Sequence, residues 1–169
     1  MAAHLADERF DAAVSSDLIR ARSTAERIVR GNPALAVEPD ARWREMKFGG
    51  WEGLTWPQIA ERFPSVAAAP NAGGKFHTPP DGEAFEAVCL RVAAAVASLR
   101  ERFPDGGTVL VATHAGALHA LLRVALGTEA ADALGVRFEP ATVTRLRLLP
   151  GSAELVEVNV APKAVPHQS

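Results

Sequence analysis

Cysteine occurs once, at Cys89, and that scarcity excludes an internal disulfide framework and a thiolate-rich metal site. Long apolar runs are missing too, since no stretch approaches the ~20 residues that span a bilayer. No long run of charge of one sign appears. Lys and Arg total 18 against 20 Asp and Glu, a formal net charge of −2, which argues against nucleic acid or an anionic membrane as the main partner. The opening MAAHLADERF lacks the basic and apolar regions of a signal peptide, so a cytoplasmic setting is the default expectation. What is present suits a globular protein: 169 residues, 48% hydrophobic and 22% charged, enough for one domain with a sizeable core.

Met1 to Glu8 reads as helix with nothing before it to act as a cap, which suggests the back half of a longer helix. FDAAV (10–14) is a short apolar strand, followed by the polar turn Ser15-Ser16-Asp17. A helix then runs to about Arg30, with Ser16 or Asp17 suited to its N-cap, and stops at Gly31-Asn32-Pro33. LAVEPD (35–40) is a second strand, ARWREMKFGGWEG (41–53) is irregular, and a short helix spans Trp56 to Phe63. Residues 65–82, mostly Ala, Gly, Pro and Asn, form a long covering loop. In Glu83 to Phe103 the residues Phe85, Val88, Cys89, Val92, Val96, Leu99 and Phe103 recur at helical spacing, so Cys89 is expected in the core. TVLVAT (108–113) is a strand expected to be buried on both faces, with a helix from Ala117 to Leu126 behind it. TVTRLRLL (142–149) and AELVEVNV (153–160) make a closing hairpin around Pro150-Gly151. The expected architecture is α/β: three layers, α/β/α, with a mainly parallel sheet and an antiparallel strand near one edge. Residues 1–160 form the expected domain and 161–169 a flexible tail.

Two strand–turn–helix corners bring similar equipment to one sheet edge. The first carries Ser15, Ser16 and Arg20; the second carries Thr113, His114 and a glycine that permits close approach. Helix starts present unpaired N–H groups and partial positive charge, and a forked guanidinium beside an imidazole suits phosphate. The arginines Arg20, Arg22, Arg27 and Arg30 are interrupted by other residues, a local concentration fitted to a small anion. Asn71 to Lys75 fails as a phosphate-binding P-loop because Ala69 and Phe76 occupy positions that need Gly and Ser/Thr. His114 and His119 stand about 140° apart around a helix and form no zinc pair; no metal site and no cofactor is expected. Trp43, Trp51 and Trp56 are expected to pack beneath the covering loop rather than stack on bases.

The segments FDAAVSSDLIRARSTAERI (10–28), WREMKFGGWEGLTWPQI (43–59), TPPDGEAF (78–85) and VLVATHAGALHALL (109–122), in that order, resemble blocks of the histidine-phosphatase superfamily, phosphoglycerate-mutase-like. The resemblance implies hydrolysis or transfer of a phosphoryl group from a small phosphomonoester through phosphohistidine, without metal. It makes Arg20 and Ser16 phosphate-binding, Glu45 the general acid, and His114 a second histidine on the phosphoryl oxygens. The compact cover suggests the broad-specificity and α-ribazole-type phosphatases. Ala84 and Ala115 stand where Ser and Gly are usual.

The family's Arg-His-Gly, whose histidine is the nucleophile, does not occur in these residues. In relatives its strand lies between those matching 108–113 and 142–149, so two open edges are expected here. Three accounts compete: a start assigned too late, which the uncapped opening helix favours; a shortened relative that shifts strands or pairs as a homodimer; and a pseudo-enzyme that binds a phosphorylated metabolite or inorganic phosphate. Phosphatase activity of the chain as it stands is expected to be at background. An interaction protein using the open edges is the reading from a different class.

Overall fold

The computed structural model describes residues 1–32, 34–67 and 78–162. A parallel sheet has the order β2-β1-β3, with β1 at Ala12–Ser15, β2 at Val37–Pro39 and β3 at Val109–Ala112. Strand β1 is central and buried throughout. Its small side chains let helices approach both faces. Val14 joins the main core with Phe85, Val88, Val92, Ala95 and Val96 of helix α4 (Phe85–Arg102) and Ala117 and Ala120 of helix α5 (Ala115–Leu126). Helix α1 (Ile19–Val29) lies against all three strands and buries Ala21, Ala25 and Val29, none of which belongs to that core cluster. The result is helix, sheet, helix.

The α4 stripe follows its sequence spacing: Cys89 and Leu99 flank the core, while Leu90, off the stripe, is 74% exposed. Short helices α2 (Trp56–Arg62) and α3 (Pro64–Ala67) follow the irregular stretch, and α6 (Thr128–Ala133) follows α5. Thr55 begins α2 with a capping box in which Gln58 reciprocates. Strands β4 (Val143–Leu149) and β5 (Ser152–Val160) form an antiparallel hairpin. Leu146 faces Leu155 and Leu148 faces Ala153, while Arg145–Glu157 and Arg147–Glu154 make cross-strand ion pairs. Among the described residues no helix is long and apolar enough to cross a membrane.

Several expectations are corrected. Residues 2–7 form turns, with the His4 and Leu5 amides donating to the Met1 carbonyl, rather than an α-helix. The buried Leu5 and the Glu8–Arg145 ion pair fix this segment, so no cap is called for. The N-cap of α1 is Leu18, since Asp17 is engaged by Arg44 and Ser16 Oγ by His114. Strand β3 is half-buried at every residue, since among the described residues it pairs with β1 alone. The hairpin forms a sheet of its own instead of extending the parallel one. Of the covering loop, residues 68–77 lie outside the described residues, as do 163–169 of the tail, His77 and His167.

Candidate functional site

The parallel pairing of β1 with β3 sets Ser15 opposite Ala112, so the residues that follow each strand leave the same sheet edge. Ser16 N–H donates to the Ala112 carbonyl at 2.8 Å. Two residues beyond Ala112, His114 Nε2 lies 3.0 Å from Ser16 Oγ, joining the two corners directly. Ser16 Oγ also accepts the Leu18 N–H at 3.3 Å.

The third component is the segment 42–47, which leaves a 3₁₀ turn at Ala41–Trp43 and buries Trp43 and Met46 while exposing Arg44 and Lys47. Arg42 folds back on the Asp40 carboxylate with both ends of its fork and reaches Ser98 Oγ. Arg44 makes a bidentate pair with Asp17 at 2.7 and 2.6 Å, holding the Asp17 carboxyl below its usual pKa. Trp43 turns inward to the core, and its carbonyl accepts Thr113 Oγ1 at 2.7 Å. Glu45 also turns inward, and its Oε1 accepts the N–H groups of Met46 and Gly116, both at 2.9 Å. Gly116 lies in the first turn of α5, so the carboxylate sits where an anion is favoured by unpaired amides and the helix dipole. A Cβ on residue 116 would collide with that oxygen.

Half-buried His114 has its pKa lowered from 6.5 to about 4, by burial first and then by the positive charges of Arg20 and Arg91. It is therefore neutral at pH 7. A guanidinium, a neutral imidazole, a carboxylate and a helix start converge outside the carboxyl ends of parallel strands. An arriving anion would offset the charge of the arginines and draw a proton onto the imidazole.

Arg20 is exposed in the first turn of α1, His114 begins α5, and Glu45 lies on α5's first turn. Ser16, expected as a phosphate ligand, is 0% exposed, and its Oγ is engaged by His114 Nε2 and the Leu18 amide. His119 is turned away and meets the Phe138 ring edge-on at 4.8 Å, and His4 lies in the opening turn. Trp43 is core rather than cover, Trp51 packs near Phe63, and Trp56 is 38% exposed. Burial pushes the Cys89 thiol up, as suits a core residue. Among the described residues no cluster of three His, Cys, Asp or Glu is placed to hold a metal.

Sequence reading missed Glu83 and Arg91. Their salt bridge lies behind the Glu45 loop, with Arg91 Nη1 donating to the carbonyls of Arg42 and Arg44 at 2.7 and 2.8 Å. The α4 spacing was read only for apolar residues. A cation on that helix eight residues after an acidic one gave no local sign of a partner in a distant loop.

Comparison with known proteins agrees with this geometry. A family model described as the histidine phosphatase superfamily (branch 1) matches residues 1–161. A bifunctional protein of Mycobacterium tuberculosis is 41% identical over 118 residues, 68% of this chain and 31% of that protein. The adenosylcobalamin/α-ribazole phosphatase of Salmonella typhimurium is 28% identical over 151 residues, 89% of this chain and 73% of that protein. The chain thus spans under a third of the first of these relatives. Among solved structures, a mycobacterial glucosyl-3-phosphoglycerate phosphatase in complex with inorganic phosphate superposes with TM-score 0.81 at 27% identity, covering 97% of this chain and 84% of that one. The same phosphatase with VO3 gives TM-score 0.82.

Proposed function

The chain belongs to the histidine phosphatase superfamily (branch 1), and on that premise we propose that its site grips the phosphoryl group of a small phosphomonoester, or inorganic phosphate, without turning it over in these 169 residues alone. The family activity is hydrolysis or transfer through phosphohistidine. Arg20 holds the phosphoryl oxygens, helped by the partial positive charge at the start of α5, where the Gly116 amide is already taken by Glu45. His114, oriented by Ser16, donates to the same oxygens once an anion has drawn a proton onto it. The family pattern gives Glu45 the general acid's role in turnover; in this chain its Oε1 accepts the Met46 and Gly116 amides. The same reading takes 1–160 as one phosphoglycerate-mutase-like domain with 161–169 as a tail, in a cytoplasmic setting.

The observation that carries the reading is the pair of bonds made at the start of α5: His114 Nε2 to Ser16 Oγ at 3.0 Å, and, two residues on, the Gly116 amide to Glu45 Oε1 at 2.9 Å. No further histidine stands beside it among the described residues, and no Arg-His-Gly occurs in the sequence. Loss of the nucleophile from a concerted site costs on the order of 10⁶ in rate. Purified chain should therefore leave p-nitrophenyl phosphate at background. Vanadate at millimolar concentration should raise the melting temperature, and the rise should vanish in Arg20→Ala and His114→Ala. Turnover that disappears in His114→Ala would overturn the first half, and no thermal shift with vanadate would overturn the second.

A second reading rests on the sheet. Among the described residues strand β3 pairs only with β1 and β4 only with β5, so each offers an open edge to a second copy of the chain. Light scattering that finds a monomer at every concentration removes that reading.

A further inference from the structure

Arg91 has an unusually complete set of partners. A guanidinium has five N–H donors, and here each has an acceptor. Nε donates to Glu83 Oε1 at 2.8 Å and Nη2 to Glu83 Oε2 at 3.0 Å. Nη1 donates to the carbonyls of Arg42 at 2.7 Å and Arg44 at 2.8 Å, and the second Nη2 hydrogen reaches the Glu45 carbonyl at 3.3 Å. Glu83 is tied to the same segment at its far end: its N–H donates to the Lys47 carbonyl at 2.8 Å, and its Oε2 lies 3.4 Å from the Lys47 N–H. The side chains of Arg91 and Glu83 are 18% and 23% exposed, so water competes weakly for these bonds.

We infer that Arg91, with Glu83 as its anchor, is a positioning residue that sets the backbone of 42–47 and thereby holds the Glu45 carboxylate on the Gly116 amide. The inference rests on the phosphoryl-site reading for its purpose, though not for its geometry. A loop has no ladder of its own to satisfy its carbonyls. Three carbonyls of this loop point at one cation carried by α4, which is packed against α5 in the core. The loop's address is thus defined relative to the helix whose first turn Glu45 must meet. Arg91 stands on the line of helix α4 in the middle of this arrangement, and a lysine there has neither the fork nor the five donors.

The test uses the whole chain and two independent readouts. The Gly116 and Met46 amides both donate to Glu45 Oε1, so their ¹⁵N–¹H resonances report whether the carboxylate is seated. In Arg91→Lys, which keeps the charge and removes the fork, both resonances should move toward their positions in Glu45→Gln while those of Ala13 and Leu110 in the sheet stay. The vanadate concentration giving half of the thermal shift should change several-fold in the same variant, because the carboxylate shares the start of α5 with the anion. Gly116 and Met46 resonances left at wild-type positions, with only a lowered melting temperature, would reduce Arg91 to a structural brace and overturn the inference. If Arg91→Lys does not fold, Glu83→Gln carries the same measurement with the arginine intact. Failure of the wild-type chain to bind vanadate would sink the phosphoryl reading while the amide resonances still decide the positioning claim.

Discussion

Gly116 donates its backbone N–H to Glu45 Oε1 at 2.9 Å across 71 residues of chain, and the space a side chain would need at 116 is filled by that oxygen. Glycine in a helix ordinarily costs about 1 kcal/mol relative to alanine. At this position the sign reverses, because the added methyl must displace a carboxylate held by two amides. Gly116→Ala is expected to lower stability by about 1–3 kcal/mol, the cost of leaving buried hydrogen-bonding groups unpaired. It should also weaken the vanadate-induced thermal shift. A Gly116→Ala chain that melts higher than wild type and responds fully to vanadate shows that the carboxylate is not seated there.

The neutral imidazole of His114 gives a pH dependence whose direction can be worked out. Its pKa is 6.5 in the unfolded chain and about 4 in the folded one, lowered mainly by burial. Between those values the unfolded state binds a proton that the folded state does not, so stability falls as pH drops through that window and is unaffected by this group above it. His114→Gln removes this contribution. Urea midpoints should show wild type losing ground to His114→Gln as the pH falls from about 7 to about 4.5. A difference between the two that stays constant across the window refutes the assignment.

After burial, the positive charge of Arg20 does most to lower that pKa, which places the charge within reach of the imidazole. In Arg20→Ala the His114 pKa should climb from about 4 toward the ordinary value, read by titrating the imidazole C–H resonance. Saturating phosphate should push it higher still in wild type, since a bound dianion favours imidazolium. An unchanged His114 titration in Arg20→Ala separates the two residues and removes the guanidinium from the site.

What the sequence made legible was local. The α4 stripe, the two strand-end corners and the hairpin turn at Pro150-Gly151 each follow from short-range patterns, and the structure has each of them. The order of the corners on the sheet follows from parallel pairing of their strands. What was not legible depends on distant partners. Met1 to Glu8 has the composition of a helix, yet Leu5 burial and the Glu8–Arg145 ion pair, 137 residues apart, hold it as turns. The run 108–113 reads as doubly buried from its hydrophobicity alone, but burial also needs a neighbour on each side and among the described residues β3 has one. Arg91 was invisible for the same reason: its acceptors are carbonyls 46 to 49 residues away, which no side-chain pattern announces.

Two adjacent serines carry the sharpest test, because they are equally buried at 0% exposure and should respond oppositely to the same change. Ser15 Oγ has no hydrogen-bond partner among the described residues, whereas Ser16 Oγ is held by His114 Nε2 and the Leu18 amide. Replacing Ser15 with alanine removes a desolvated hydroxyl that nothing compensates, so Ser15→Ala should raise stability by about 1 kcal/mol. Replacing Ser16 leaves an imidazole nitrogen and an amide short of a partner, so Ser16→Ala should lower it by a similar amount. At this chain length about 1 kcal/mol moves the melting temperature by roughly 2–4 °C, so the pair should diverge by twice that in one thermal scan. Ser16→Ala should also blunt the vanadate response by freeing the His114 ring, and Ser15→Ala should leave that response intact. If both variants melt below wild type, Ser15 Oγ has a partner and the corner at the end of β1 is built differently.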